Sequence, residues 1–213
     1  GSLAGAAVTT GSQNTFLGTQ SGQNVTTAAA NTFIGYRAGV STTTGTFNTF
    51  IGVQAGQSNT TGTSNFIMGT NAGSGNTTGS ANFFLGDNAG GGNSSGSYNV
   101  YLGANAGNGT SVNGDNNLAI GFEAGRNNSN GATNTFVGFR ADAGANRLSN
   151  ATAIGANARV TTSNAIVLGD QAAYGHAREV VQQREHCIPH PAAHVVEVEV
   201  DAVRAGLPEP GRD

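Results

Sequence analysis

The chain repeats one short pattern of apolar and polar residues at a nearly constant spacing. In each copy an aliphatic residue is followed by Gly and usually preceded by an aromatic residue, as in the segment NTFIG at 31–35. The closing Gly recurs at steps of 17 residues, except for one step of 18 and a last step of 14. Such a fixed period is typical of a repeat architecture in which every copy is one structural unit. We call the Gly that ends each apolar motif the closing Gly, and we count the residues that follow it as part of the same coil. Coils 1 to 10 are numbered by these glycines: Gly18, Gly35, Gly52, Gly69, Gly86, Gly103, Gly121, Gly138, Gly155 and Gly169.

Three positions of the repeat carry the same kind of residue in most copies. Asn stands four residues before the closing Gly in the first eight copies, from Asn14 to Asn134. The residue two before the Gly forms what we call the aromatic column: Phe16, Phe33, Phe50, Phe84, Tyr101 and Phe136, with Ile67, Ala119, Ala153 and Val167 as exceptions. The residue directly before the Gly forms the aliphatic column: Leu17, Ile34, Ile51, Met68, Leu85, Leu102, Ile120, Val137, Ile154 and Leu168.

The length and composition of the unit predict an all-β fold. Seventeen residues are too few for two packed helices with loops, and the Gly and β-branched content opposes helix. The unit fits two short strands and two turns, which make one coil of a β-solenoid with about ten coils. Stacking such coils at about 4.8 Å places like residues over like, so the Asn residues are expected to form an amide ladder and the aromatic residues a stack. We assign residues 1–13 to a lead-in coil, 14–170 to the repeat domain and 171–213 to a non-repeat cap or tail.

The two apolar columns cannot both lie inside the coil. Neighbouring residues of a strand face opposite sides, so Phe33 and Ile34 point in opposite directions. The 14-residue coil has Ala153 in place of an aromatic residue but keeps Ile154, and a smaller coil has a smaller interior. The aromatic column is therefore predicted to fill the coil and the aliphatic column to face outward. A continuous exposed apolar column indicates an interface, and we expect oligomerisation along the rod.

Composition and charge exclude several functions. The chain has 34 Gly, no Trp, no Lys among its nine basic residues, and a net charge of −3, which disfavours nucleic acid as a partner. No apolar stretch of about 18 residues is present, so no membrane span is expected. Without Lys there is no phosphate-binding P-loop. Residues 1–170 contain no His for a catalytic triad. We expect a protein that is not an enzyme and binds no cofactor.

Residues 150–170, NATAIGANARVTTSNAIVLGD, resemble the head repeat of YadA-like trimeric autotransporter adhesins. The 17-residue copies look like a longer-coiled relative found in bacterial surface proteins and phage-type tail fibres. The resemblance implies a left-handed parallel β-roll with three chains around one axis, lined by the aliphatic column. It also implies an extracellular location, on an outer-membrane-anchored surface protein or on a virion. The expected function is a structural or adhesive rod segment of a fibre, acting as a homotrimer.

Two alternatives remain open at this point. One is a carbohydrate- or matrix-binding head with sites on outer turns or between chains, whose partner would be a host glycan or matrix protein. Four aromatic residues outside the core columns are its candidate binding surfaces: Tyr36, Phe47, Phe122 and Phe139. The more remote alternative is an ice-binding solenoid, because Thr pairs such as Thr43-Thr44 recur at the same coil position and would stack into a hydroxyl array.

The last 43 residues differ from the repeat. All four Pro, all four His and the single Cys lie within 171–213. His186, Cys187, His190 and His194 are candidate zinc ligands. Pro189 and Pro191 break any helix that would align them, so a Pro-rich connector is favoured over a metal site. Residues 176–186 are typical of a short amphipathic helix. We expect the segment to cap the last coil, or to be a terminus that has lost register with the repeat.

Overall fold

The computed structural model describes residues 1–109, 113–169 and the backbone of 179–181. In these residues all regular structure is β, no helix occurs, and the chain winds into a parallel β-solenoid of about nine turns. The all-β solenoid predicted from the repeat is thus confirmed. The strands are β1 Thr15–Leu17, β2 Thr32–Ile34, β3 Thr49–Ile51, β4 Phe66–Met68, β5 Phe83–Leu85, β6 Val100–Leu102, β7 Leu118–Ile120, β8 Thr135–Val137, β9 Asp142–Ala143, β10 Thr152–Ile154, β11 Arg159–Val160, β12 Ala165–Leu168 and β13 Glu179–Val181.

One long sheet runs along the solenoid and contains one strand from every coil. Its order is β1 to β8, then β10, β12 and β13. Neighbouring strands from β1 to β12 are parallel, and each residue pairs with the equivalent residue of the next coil. Phe33 thus lies opposite Phe50, and Ile34 lies opposite Ile51. A second, two-stranded parallel sheet pairs β9 with β11. Among the described residues, the two strands per coil expected from the sequence therefore occur only in coils 8 and 9. In coils 1 to 7 the described residues outside the long sheet form turns, bends and irregular segments, with an isolated bridge from Ala132 to Ser149.

Residues with a left-handed backbone conformation, that is, positive φ, explain why most coils have a single three-residue strand. The residue two after the closing Gly, such as Arg37, and the residue before the next Asn, such as Phe47, have φ of 57° and 58°. Gly39, four after the closing Gly, has φ of 57° as well. A Cβ atom on Gly39 would lie 2.5 Å from the ring of Phe33, so this turn needs glycine for space as well as for conformation.

The interior of the solenoid is filled by the aromatic column, as predicted. Phe33, Phe50 and Phe84 are fully buried, and Tyr101 is 1% exposed. The rings of Phe33 and Phe50 stack with centroids 4.7 Å apart at an angle of 5°. Because adjacent coils stack at the spacing of paired strands, successive rings meet at van der Waals distance.

Two amide ladders run beside the aromatic column. In the first, which was predicted, Asn31 donates from its backbone N and from Nδ2 to Oδ1 of Asn14, at 3.0 and 3.1 Å. The second, which was not, passes through Asn59, Asn76 and Asn93, where each Nδ2 donates to the preceding Oδ1 at 3.1 and 2.7 Å. The repeat pattern did not single out these three residues, yet they are fully buried.

Hydrogen bonds extend the solenoid at both described ends. In the lead-in segment, Gly5 and Thr9 donate from their backbone N to the carbonyls of Ser21 and Thr26 in coil 1, at 3.0 Å each. At the other end β13 pairs antiparallel with β12. The amphipathic helix expected over 176–186 is therefore wrong at 179–181, because backbone pairing with the edge of the last coil holds these residues extended.

Candidate interface on the outer face of the sheet

The three-residue strands β1 to β8 and β10 of the long sheet each turn one residue inward and two outward, and the last three residues of β12 follow the same pattern. The middle residue belongs to the aromatic column and is buried, apart from the partly buried Phe16. The residues on either side face away from the coil, as the burial pattern of β2 and β3 shows. The outward residue after the middle one belongs to the aliphatic column. The outward residue before it forms what we call the second outer column: Thr15, Thr32, Thr49, Phe66, Phe83, Val100, Leu118, Thr135, Thr152 and Ile166.

The aliphatic column faces solvent along its whole length. Leu17 and Leu168, at the two ends, are 61% and 66% exposed, and Leu85 in the middle is 39% exposed. The remaining members are exposed or half-buried, and each lies opposite its equivalent in the next coil. Its outward direction is thus confirmed, whereas its place at a trimer axis stays a prediction.

The outer face is most apolar in coils 4 to 7, where both columns are hydrophobic. Phe66 and Phe83 of the second column stack with ring centroids 4.9 Å apart at 8°. Met68 and Leu85 lie beside them on the same strands. Sequence reasoning missed this second column because half of its members are Thr. The signal was nevertheless present in the consecutive apolar residues of strands β4 to β7.

The outer face also lacks charge. None of the members of the two columns is ionisable. Removing charged groups from water is the largest penalty that opposes the burial of a protein surface. Two such faces can associate without this penalty, because neither column carries a charged group. A continuous apolar face of this size is typical of a protein–protein interface.

The four aromatic residues predicted to lie outside the core are all exposed. Tyr36 is 47% exposed and Phe47 67%. Phe122 and Phe139, at 41% and 47%, are the two that the fold brings together, with rings stacked 5.6 Å apart. The structure adds Tyr98, which is 65% exposed in the same coil position as Phe47 and was not singled out by the sequence.

The Thr pairs do not present a free array of hydroxyls. The first Thr of each pair donates from Oγ1 to a carbonyl of the next coil, as Thr43 does to Thr60 at 3.2 Å and Thr60 to Thr77 at 3.0 Å. Only the second Thr, such as Thr44, is exposed. Half of the hydroxyls that an ice-binding surface would use are therefore engaged in holding coils together.

Ionisable groups within the coil are few. Tyr101 fills coil 6, and burial raises the pKa of its phenol well above the ordinary value. The candidate metal ligands His186, Cys187, His190 and His194 lie outside the described residues, so the preference for a Pro-rich connector over a metal site stays a prediction.

Comparison with known proteins adds no family. No family model, no curated protein and no solved structure matches the chain. Among the described residues there is no helix long and apolar enough to cross a membrane.

Proposed function

We propose that the chain is a non-enzymatic rod segment that associates with copies of itself through the outer face of its long sheet. The observation that carries this proposal is the uncharged outer face of the sheet, on which the aliphatic column extends over all ten coils. A partner that covers it must match the coil spacing over the same length. A second copy of this chain has the same coil spacing, because it has the same sequence. The aliphatic column of one copy can therefore contact the aliphatic column of the other in every coil.

Three copies around one axis, as a homotrimer, are the arrangement we favour. The support is the resemblance of residues 150–170 to YadA-like adhesin heads, which implies three chains around one axis, together with the outward direction of the aliphatic column. On this proposal Ile34, Ile51 and their equivalents line the axis, and the turns face solvent. The same resemblance supports a location outside the cell, as part of a bacterial surface fibre or a phage-type fibre.

The mechanism of such a rod is mechanical. Successive coils are joined by backbone pairing, and coils 1 to 8 are joined also by the amide ladder from Asn14 to Asn134. A coil therefore separates only if many hydrogen bonds break together. Three identical outer surfaces would also raise the avidity of any weak contact that the fibre makes.

Multi-angle light scattering on the full chain tests this proposal. One chain has a mass of 21.2 kDa, and the expected particle is three times heavier. The measurement is made across a dilution series down to about 1 μM, where a stable obligate interface remains formed. A particle of 21.2 kDa at every concentration would refute self-association through the sheet face.

A further inference from the structure

The charged residues of the solenoid are concentrated in one place. Residues 1–122 contain only three charged side chains: Arg37, Asp87 and Asp115. Five more line a single cavity of about 340 Å³ on coils 7 to 9, which we call the groove: Glu123, Arg126, Arg140, Asp142 and Arg159. A chain with 10% charged residues thus places three arginines around one cavity.

The groove exists because the repeat changes there. The Gly four residues after the closing Gly, such as Gly125 with φ of 63°, is replaced by Asp142 in coil 8 and by Arg159 in coil 9. These two residues do not adopt positive φ, and the backbone extends into β9 and β11 instead of curling. Asp142 lies directly opposite Arg159 in the register of this small sheet.

The carboxylates of the groove are already engaged. Asp142 accepts hydrogen bonds from the backbone N and Nδ2 of Asn127, at 2.9 and 2.6 Å, and from the backbone N of Ala143 at 2.8 Å. Burial raises the pKa of Asp142, against the effect of these bonds and of Arg159. The Asp142 carboxylate therefore has little capacity left for a further donor.

The guanidinium groups, in contrast, retain most of their donors. Glu123 accepts from Nη1 of Arg126 at 3.3 Å and from Nε of Arg140 at 2.7 Å. Arg159 forms no ion pair among the described residues, and its only hydrogen bond there is a long one of 3.5 Å from Nη2 to the carbonyl of Gly144. Each guanidinium carries five N–H donors in a planar fork that matches a carboxylate or a sulfate.

An aromatic surface borders the groove. The guanidinium carbon of Arg140 lies 5.0 Å from the ring centroid of Phe139, which stacks on Phe122. Both rings are more than 40% exposed. The side chain of Arg140 thus joins the charged groove to an exposed apolar ledge, and sugar rings present C–H faces that pack on such surfaces while their hydroxyls bond to amides and guanidinium groups.

We propose that the groove on coils 7 to 9 binds an anionic saccharide, with the carboxylate or sulfate group of the sugar held by Arg159, Arg126 and Arg140 and its ring against Phe139. The groove lies on the turns that follow the strands and does not include the outer face of the sheet. Saccharide binding is therefore independent of self-association.

Isothermal titration calorimetry of the full chain tests this assignment with four probes: a galacturonate hexamer, a heparin-derived hexasaccharide, maltohexaose and sodium sulfate. We expect binding of at least one of the first two and no detectable binding of maltohexaose. The two anionic probes distinguish a carboxylate from a sulfate ligand. Sulfate alone is expected to bind at least tenfold more weakly than the saccharide, because it makes no contact with the ledge. Equal affinity for the neutral and anionic hexamers, or no binding of either anionic one at millimolar concentration, would overturn the assignment.

Variants locate the site. Arg159→Gln is expected to weaken saccharide binding at least tenfold, and Phe139→Ala to weaken it several-fold without weakening sulfate binding to the same degree. Arg147→Gln is the matched control, because Arg147 is an exposed arginine of coil 8 outside the groove. Circular dichroism verifies that each variant is folded. If Arg147→Gln and Arg159→Gln have the same effect in folded protein, the ligand is not held in the groove.

Discussion

Oδ1 of Asn48 accepts two hydrogen bonds from Asn65, one from its backbone N and one from its Nδ2, each 3.0 Å long. Nδ2 of Asn65 donates also to the carbonyl of Gly79 at 2.9 Å, and Oδ1 of Asn65 accepts from the backbone N of Asn82 at 3.0 Å. The buried side chain of Asn65 thus forms hydrogen bonds with polar groups of three coils, so its loss would leave partners unpaired in all three.

Replacing Asn65 with Ala is expected to destabilise the solenoid by about 2–4 kcal/mol, because it leaves several buried polar groups without partners. Urea unfolding followed by circular dichroism measures the effect. Asn24→Ala is the control, since Asn24 is exposed and lies outside both ladders. Equal effects of the two substitutions would show that the ladder does not stabilise the fold.

The turn glycines are expected to be coupled to the aromatic column. Gly90 has φ of 62°, and a Cβ atom there would lie 2.6 Å from the ring of Phe84. Gly90→Ala should therefore destabilise through both backbone strain and steric overlap, whereas in a Phe84→Ala background only the strain of about 1 kcal/mol remains. A double-mutant cycle measured by urea unfolding gives the coupling. Strictly additive effects would contradict a contact between this turn and the ring.

The outer face of the sheet is expected to control the oligomeric state. Leu85→Asp places a charge on an exposed position of the aliphatic column, so it should abolish association and leave the coil interior intact. Light scattering measures the mass and circular dichroism the β content. Val53→Asp is the matched control, because Val53 is 44% exposed but lies after the closing Gly and off the sheet face. A wild-type mass for Leu85→Asp would contradict the proposed interface.

The repeat period was sufficient to predict the solenoid and the direction of its columns. A strict 17-residue spacing fixes which residues stack, and the adjacent pair Phe33 and Ile34 then fixes inside and outside. The single strand per coil was not predictable. It results from left-handed backbone at residues such as Gln20 and Phe47, and nothing in those residue types signals positive φ.

The groove was missed because its residues are distributed along the sequence. Their spacing nevertheless contains a signal, since Glu123 and Arg140 are 17 residues apart, as are Asp142 and Arg159. In a solenoid of this period such pairs are neighbours in adjacent coils. The four exposed aromatic residues were correctly placed outside the core, but their separation into one stacked pair and two single residues depends on coil geometry that composition does not encode.

Removing the backbone strain of a non-Gly residue with positive φ is expected to stabilise the solenoid. Tyr98 has φ of 60° and is 65% exposed, so its ring gains little from packing. Asn116 occupies the same position in the next coil with φ of 59°, and Asn tolerates this conformation better than an aromatic residue. Tyr98→Asn should therefore raise the free energy of unfolding by about 1 kcal/mol. Tyr36→Asn, at a position without positive φ, is the control, and an equal gain there would exclude strain as the cause.

The stability of coils 7 to 9 is expected to depend on the protonation of Asp142. Burial raises the pKa of its carboxyl above the ordinary value of about 4, so the folded state holds the proton more tightly than the unfolded state. As pH rises from the ordinary pKa through the raised pKa, the unfolded state loses its proton first, and the contribution of Asp142 to stability falls.

Asp142→Asn removes this titration while keeping one acceptor oxygen for Asn127. The difference in unfolding free energy, wild type minus variant, should therefore increase as pH is lowered from 7 towards 4, measured by urea unfolding at each pH. A parallel series with Asp87→Asn, an exposed carboxylate of coil 5, is the control. A constant difference between wild type and Asp142→Asn across this range would mean that the Asp142 carboxylate is not destabilised by its burial.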